Sequence, residues 1–166
     1  EYKPRVSVDF AVQEGSVTPT IRNFIKEHAI DLVVMGTRGA SGMEEYLIGS
    51  NTEKVVRFSS VPVFAIRKAP ALDSIRNIVF PTTLEPMPPT LLSYIKVLQE
   101  FFQARIHLLM INTPYNLQRS GDEEARMNAF AKQHDIKNYT VNIRNEFREP
   151  HGILNFAKEM GADLVA

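Results

Sequence analysis

The glycines between positions 36 and 49 are the residues of this sequence best suited to chemistry. Gly36, Gly39 and Gly49 follow the short apolar run Asp31–Met35, and Ser50 opens an amphipathic segment. Glycine lets the backbone approach a ligand without a Cβ in the way. The unpaired N–H groups and the dipole at a helix N-terminus favour an anion. This pattern of a strand, a glycine-rich loop and a helix start predicts a phosphate-binding site.

The segments on either side of this loop must position it. The run 31–35 has the composition of a buried parallel strand, and 50–59 has the spacing of a helix with Val55, Val56 and Phe58 as its apolar residues. Val61–Arg67 is predicted to be a further strand, with a proline near its start that suits a sheet edge. Arg38, inside the loop, either contacts phosphate or is solvated.

Strand-like and helix-like segments alternate along the rest of the chain. The predicted strands are 6–12, 77–81, 106–111 and 139–143, and the predicted helices begin at Pro19, after the Pro-rich turn 85–89, and at Asp122. Thr18 is the expected N-cap of the first helix, whose apolar face carries Ile21, Phe24, Ile25 and His28. This alternation predicts an α/β, Rossmann-like fold: an open parallel sheet with helices on both faces.

Composition narrows the class of protein. Lysine plus arginine and aspartate plus glutamate both number 19, so the net charge is zero and no broad basic surface for nucleic acid is expected. No apolar run approaches the roughly 20 residues that span a bilayer, so no membrane association is expected. The sequence has no cysteine, which fits a reducing compartment, and we expect a cytoplasmic protein.

An internal repeat divides the chain. Ile21–Val33 aligns with Ile153–Val165 without a gap, and identical residues include Phe24 with Phe156 and Asp31 with Asp163. The two aspartates start strands and are interpreted as structural. The repeat predicts two incomplete tandem copies, residues 1–70 and 75–166, joined by a linker at Lys68–Ser74.

With the glycine loop and the repeat in view, the chain resembles a tandem universal stress protein. The family signature is Gly, two residues, Gly, nine residues, then Gly followed by Ser or Thr, and here it spans Gly36 to Ser50. The resemblance implies the adenine nucleotide alpha hydrolase-like variant of the Rossmann-like fold.

The resemblance also implies a ligand. In members that bind ATP, with or without Mg²⁺, this motif holds the ribose and phosphates. Residue by residue, that implies cofactor binding by Met35, Gly36, Arg38, Gly39, Gly49, Ser50 and Asn51. The adenine side comes from the first strand of each copy. In the second copy that strand ends in Pro81-Thr82-Thr83, where the family usually has Asp in place of Thr83, so a charged acceptor is lost.

Three functions follow as hypotheses. The first is an ATP-binding regulatory module of the stress response, and the second is an interaction module that dimerises without nucleotide. The third is a slow ATP hydrolase, although the sequence shows no catalytic nucleophile or general base and its four histidines lack metal-ligand spacing. A flavodoxin-like carrier is disfavoured, because Phe80–Pro86 has no glycine for a phosphate loop.

The resemblance further implies how the protein assembles. Universal stress proteins pair through the last, edge strand of each sheet, and Val61–Arg67 is that strand here. An open apolar edge invites such pairing. We therefore expect a homodimer or tandem-domain contact through Val63 to Ile66.

Overall fold

The computed structural model describes residues 7–37, 49–66, 75–115 and 122–166, and the predicted linker falls outside them. The chain separates into two compact units, Glu1–Ala69 and Pro70–Ala166. Within the described ranges, no helix combines the length and the apolar character needed to cross a bilayer.

Unit 1 is a short α/β segment with two parallel strands. Its described elements are α1 (Val17–Glu27), β1 (Val33–Gly36), α2 (Ser50–Phe58) and β2 (Val63–Ile66). β1 and β2 pair in parallel with Val33 opposite Val63. Ile25 of α1 and Val55 of α2 are buried.

Two sequence predictions for unit 1 were wrong. The described part of the predicted strand 6–12 has no regular structure, and Phe10 and Val12 are 94% and 98% exposed. Strand-forming residues need neighbours to pack against, and no described strand pairs with this segment. The N-cap of α1 is Ser16 rather than Thr18, because the Thr20 N–H already donates to the Ser16 carbonyl at 3.1 Å.

Unit 2 contains a four-stranded parallel sheet. Its elements are β3 (Asn77–Pro81), α3 (Pro89–Phe102), β4 (Arg105–Asn112), α4 (Glu123–Gln133), β5 (Tyr139–Asn145), α5 (Glu149–Glu159) and β6 (Leu164–Val165). The strand order is β5-β4-β3-β6, so the chain crosses over the sheet between β5 and β6. Parallel neighbours require such helical crossovers. The predicted α/β, Rossmann-like fold is thus confirmed.

The sheet of unit 2 has a core on each face. Ile78, Phe80, Ile106 and Leu108 face one core, together with residues of α3 and α4 such as Leu92, Ile95, Met127 and Phe130. Val79, Leu109 and Ile111 face the other core, against Phe156 of α5. Successive residues of each strand thus pack on opposite faces of the sheet, because side chains in a strand alternate between its two faces. Helices on both faces bury the central strands β3 and β4.

Four helices end in the same backbone motif. A left-handed residue lies one position after α3, at Gln103, and two positions after α1, α4 and α5, at Ala29, Asp135 and Gly161. In chain order, the φ angles of Ala29, Gln103, Asp135 and Gly161 are 48°, 52°, 53° and 56°. The next N–H then donates to a carbonyl five residues back, as from Ile30 to Ile25 and from Ala162 to Ala157. This is the Schellman cap, which usually places glycine at the left-handed position. Here only α5 uses glycine.

The sequence repeat is also a structural repeat. An offset of 132 residues carries α1 (Val17–Glu27) onto α5 (Glu149–Glu159), both 11 residues long. The same offset carries the left-handed Ala29 onto Gly161. The repeated sequence therefore forms the same helix and the same cap in both units.

Candidate functional site

Two hydrogen bonds hold the beginning and the end of the glycine loop together. The Gly49 N–H donates to the Thr37 carbonyl at 3.2 Å, and the Thr52 hydroxyl donates to the Gly36 carbonyl at 3.2 Å. The Thr37 N–H in turn donates to the Ile66 carbonyl of β2 at 3.0 Å. Thr37 and Thr52 are both buried. These contacts fix the start of α2 beside the carboxyl end of β1.

The start of α2 presents hydrogen-bond donors. Gly49 is its N-cap, with an extended backbone (φ −55°, ψ 142°) and no side chain that could cap the helix. The Glu53 N–H is the first that bonds within the helix, to the Gly49 carbonyl at 3.0 Å. The N–H groups of Ser50, Asn51 and Thr52 therefore have no partner inside the helix. They form the positive end of the helix dipole, which favours an anion.

The charges near this helix start do not oppose an anion strongly. Glu53 lies in the first turn, but its carboxylate is paired with the Arg57 guanidinium at 2.9 Å. Both side chains are more than half exposed. An exposed pair of this kind is screened by water, so the field of the helix end remains the main local effect.

Gly36 leaves open space at the end of β1. A Cβ built at Gly36 would meet no described atom within 4 Å, so packing within the described chain does not explain the absence of a side chain there. The preceding residue, Met35, is half-buried. A phosphate or ribose group approaching the backbone of Gly36 would use this space, so the described residues fit the phosphate portion of a nucleotide.

Some of the predicted site residues lie together and others fall outside the described ranges. Met35 and Gly36 end β1, and Gly49, Ser50 and Asn51 begin α2, at the same edge of unit 1. Arg38 and Gly39 lie outside the described residues. Sequence reasoning overlooked the two threonines that hold the loop ends, Thr37 and Thr52. The only signal for Thr52 was its place one turn after Gly49, where its hydroxyl can reach back.

Unit 2 has a cleft at the carboxyl end of β3. Its volume is about 320 Å³, and Thr82, Thr83, Leu109, Glu85 and Glu149 are among the lining residues. Thr82 is buried and its hydroxyl accepts from the Leu84 N–H at 3.0 Å, which fixes the turn after the strand. Thr83 is exposed. The described residues that line the cleft include two carboxylates and no basic side chain, which disfavours the phosphates of a nucleotide.

A buried histidine lies at the opposite end of the same sheet. His107 is 2% exposed, and its ring nitrogens contact Thr140 Oγ1 at 2.8 Å and Asn77 Oδ1 at 3.1 Å. An amide oxygen can only accept, so Nε2 carries the proton and Nδ1 accepts from the threonine hydroxyl. Burial, with the positive charge of Arg105 as a smaller cause, lowers the pKa of His107 and favours the neutral ring. His107 therefore stabilises the sheet, at the end opposite the cleft.

Comparison with known proteins shows which proteins unit 1 is similar to. Residues 1–67 match the family model described as the universal stress protein family. The universal stress protein YxiE of Bacillus subtilis is 36% identical over 62 residues, which are 37% of this chain and 42% of that protein. One of Methanocaldococcus jannaschii is 35% identical over 63 residues, 38% of this chain and 37% of that protein. Unit 1 is thus similar in sequence to universal stress proteins, the family that its glycine motif resembles.

Solved structures extend the likeness in fold to most of the chain. A universal stress protein from Archaeoglobus fulgidus matches with a TM-score of 0.67 at 20% identity, over 89% of this chain and 52% of that one. A protein of Pseudomonas aeruginosa described as functionally unknown matches with a TM-score of 0.72 at 12% identity, over 92% and 57% of the two chains. The chain spans about two fifths of the curated relatives and just over half of these structures.

Proposed function

We propose that unit 1 binds an adenine nucleotide, ATP, and that the protein is a nucleotide-responsive regulatory module of the stress response. The observation that carries this proposal is the start of α2, held beside the carboxyl end of β1 by the Thr52–Gly36 and Gly49–Thr37 hydrogen bonds. Parallel α/β folds bind phosphate at this position. The match of residues 1–67 to the universal stress protein family model supports the same ligand class.

The proposed contacts follow from the donors at this edge. The N–H groups of Ser50 and Asn51, with the Ser50 hydroxyl, would hold phosphate oxygens, and Met35 and Gly36 would border the ribose. Arg38 and Gly39 complete the proposed set from the loop. Mg²⁺ would accompany the phosphates as a counterion, since it binds phosphate oxygens and keeps several waters. The nucleotide supplies binding energy that can shift a conformational equilibrium, and no catalytic step is proposed.

The test is a calorimetric titration of the full chain with ATP and Mg²⁺. Ser50→Glu places a negative charge at the exposed helix start, and we expect it to weaken binding by at least tenfold through repulsion of the phosphates. Gly39→Val and Gly49→Val should weaken binding as well, because a branched side chain would fill the loop. Ser93→Glu is the matched control: Ser93 is an exposed serine within α3, and its change should leave affinity unaltered. Equal affinity in the wild type and Ser50→Glu would refute the phosphate site.

Measuring ADP formation by the same protein distinguishes a nucleotide-binding module from an ATP hydrolase. We propose that ATP stays intact when bound, because neither the sequence nor the described site offers a general base. ADP measured over several hours should remain at the level of a protein-free blank. Steady ADP formation that Ser50→Glu abolishes would favour the slow hydrolase instead.

A second candidate function is assembly through β2 in the cytoplasm, where we expect the protein to act. The Val33 N–H donates to the Pro62 carbonyl, and the Thr37 N–H donates to the Ile66 carbonyl. The even-numbered residues of β2 therefore direct their backbone N–H and carbonyl groups towards β1. Ala65 therefore directs its N–H and carbonyl to the other edge, where no described strand pairs with it. Ala65→Pro should convert a dimer to a monomer in sedimentation experiments, whereas Val8→Pro, in an exposed irregular segment, should not. A wild-type monomer at all concentrations would exclude this function.

A further inference from the structure

A chain of side-chain hydrogen bonds crosses three strands of unit 2 beneath α5. The His107 ring on β4 bonds Asn77 of β3 and Thr140 of β5. The Thr140 hydroxyl also accepts from the side-chain amide of Asn142 at 3.0 Å, and that amide donates to the Leu108 carbonyl at 3.2 Å. The other side chains in this chain of bonds are two amides and a hydroxyl, which stay neutral. The protonation state of His107 therefore decides whether the chain of bonds persists.

α5 covers the histidine ring. The Phe156 ring of α5 meets the His107 ring edge-on, with ring centroids 6.4 Å apart, and both side chains are almost fully buried. β3 and β5 flank His107 within the sheet, and both pair with β4 along their backbones. α5 is held on this face mainly by side-chain packing. Because it can leave the sheet without breaking a strand pair, α5 is the element that can uncover the ring most readily.

Two cations lie near the ring. Arg105 is two residues before His107 on the same face of β4. Burial is the main cause that lowers the pKa of His107, and the positive charge of Arg105 is the second cause. On β5, the Arg144 guanidinium lies 5.1 Å from the centroid of the Phe156 ring that covers His107. A proton on His107 would therefore add a third positive charge to this layer.

The carboxylates of the surrounding elements are already engaged elsewhere. Glu159 of α5 pairs with the Arg144 guanidinium at 2.9 Å. The Asp163 carboxylate, at the start of β6, accepts from the backbone N–H groups of Arg76 and Asn77 at 2.8 and 2.9 Å. β3 offers the ring only the neutral side chain of Asn77. In the part of the chain that the structure describes, the protonated ring would thus be a buried charge without a carboxylate partner.

We propose that His107 is a pH-sensitive switch that keeps α5 docked on the sheet of unit 2 while the ring is neutral and releases α5 when the ring is protonated. Thr140 donates to Nδ1 of the neutral ring, and a protonated Nδ1 cannot accept this bond, so the chain of hydrogen bonds breaks in the same step. Release of α5 opens the cleft at the carboxyl end of β3, because α5 supplies Glu149 and Ile153 to its wall.

The direction of the pH dependence follows from the lowered pKa. When α5 is released, His107 titrates near its ordinary pKa of about 6.5. Docked α5 disfavours the proton, so the contribution of His107 to docking is fully present above about pH 6.5. It is lost as the pH falls from there towards the lower pKa of the docked state. One proton linked in this way shifts the docking equilibrium by up to about tenfold for each pH unit.

Hydrogen–deuterium exchange of the full chain at about pH 7.5 and about pH 5.5, corrected for the intrinsic exchange rates, measures the release of α5. Peptides covering α4, on the opposite face of the same sheet, are the internal reference. We expect the protection of α5 to fall about tenfold relative to that of α4 at the lower pH. Unchanged protection of α5 would overturn the proposal. Equal losses in both helices would overturn it too, because acid would then unfold the whole unit.

Two variants identify the group that titrates. The amide of His107→Gln can donate to Asn77 and accept from Thr140 but does not titrate, so this variant should lose the pH dependence of α5 protection. His151→Gln is the matched control: His151 is exposed in the first turn of α5, and its replacement should leave the pH dependence unchanged. A pH dependence that persists in His107→Gln, or disappears in His151→Gln, would refute the switch.

An NMR titration of the His107 ring in the wild type requires no variant. Its midpoint should lie below about pH 6.5 and coincide with the loss of α5 protection. A ring that takes up its proton while α5 stays protected would contradict the proposal. These measurements use no nucleotide, so they are independent of the test of the phosphate site.

Discussion

Residues 21–33 and 153–165 are identical at eight of 13 positions. The segments α1–β1 and α5–β6 that contain them have the same local structure, but they differ in burial. Both helices are 11 residues long and end in a Schellman cap. Phe156 is 1% exposed, whereas Phe24 is half-buried and stacks on His28 with ring centroids 4.1 Å apart. The strand residue Leu164 packs on the main core of unit 2, whereas its counterpart Leu32 is 42% exposed.

This difference separates two determinants of structure. Local sequence is sufficient to set where the helix begins and ends, because the cap and the apolar spacing lie within the segment. Burial depends on the strands beneath the helix. In unit 2 these are β3 and β4, whose Val79, Leu109 and Ile111 contact Phe156. In unit 1 no described strand lies in that place, and the same aromatic residue borders an open groove instead.

Alanine substitution of the equivalent residues Phe156 and Phe24 should give the largest difference in lost stability between the two copies. Phe156→Ala should destabilise unit 2 by about 3–5 kcal/mol, the usual cost of removing a buried aromatic ring. It also removes the contacts of the ring with His107 and with the Arg144 guanidinium, 5.1 Å from its centroid. Phe24→Ala should cost less than about half as much, because part of that ring is already in water.

Hydrogen–deuterium exchange measures this prediction in each unit separately. Peptides covering α5 should lose protection strongly in Phe156→Ala, whereas those covering α1 should change little in Phe24→Ala. Equal losses in both helices would show that Phe24 is as well packed as Phe156, and the burial difference between the copies would then be wrong.

Alanine substitution of the equivalent residues Asp163 and Asp31 should give the next largest difference in lost stability. Asp163→Ala should destabilise unit 2 by about 1–2 kcal/mol, because the N–H groups of Arg76 and Asn77 lose a charged acceptor. Asp31→Ala should change stability by less than about 0.5 kcal/mol, as is usual for an exposed residue that has no partner in the described part of the chain. Urea unfolding followed by circular dichroism measures both. A large effect of Asp31→Ala would mean that its carboxylate already accepts a hydrogen bond.

The sequence predicted most of the fold because the signals were local. Helical spacing located α3 and α4 to within a residue or two, and the strand at Asn77–Pro81 was predicted with its observed bounds. The glycine motif placed the start of α2 at Ser50. The wrong strand at 6–12 had the correct composition, but a strand also needs a pairing partner, and composition carries no information about one.

The parts that were not predicted depend on contacts between distant residues. The Thr52 hydroxyl reaches a carbonyl 16 positions away, at Gly36, and threonine inside a helix gives no sign of such a contact. Three Schellman caps were also missed, because Ala29, Gln103 and Asp135 occupy positions where glycine is expected.

The smallest expected change in stability, and the one most specific to the repeat, is at the left-handed residues of the α1 and α5 caps. Ala29 and Gly161 occupy equivalent left-handed positions, with φ of 48° and 56°. A Cβ built at Gly161 would meet no described atom within 4 Å, so Gly161→Ala adds backbone strain without a clash and should destabilise unit 2 by about 1 kcal/mol. Ala29→Gly relieves that strain in unit 1 and should stabilise it by about 0.5–1 kcal/mol.

The two substitutions exchange the residues of the equivalent positions, so each serves as the control for the other. Urea unfolding and exchange of the amides after each helix should shift in opposite directions for the two variants. If both variants destabilise, then Ala29 contributes packing that outweighs its strain. In that case the two caps would differ in their energetics although their backbone conformations agree to within a few degrees, and the equivalence of the copies would be limited to geometry.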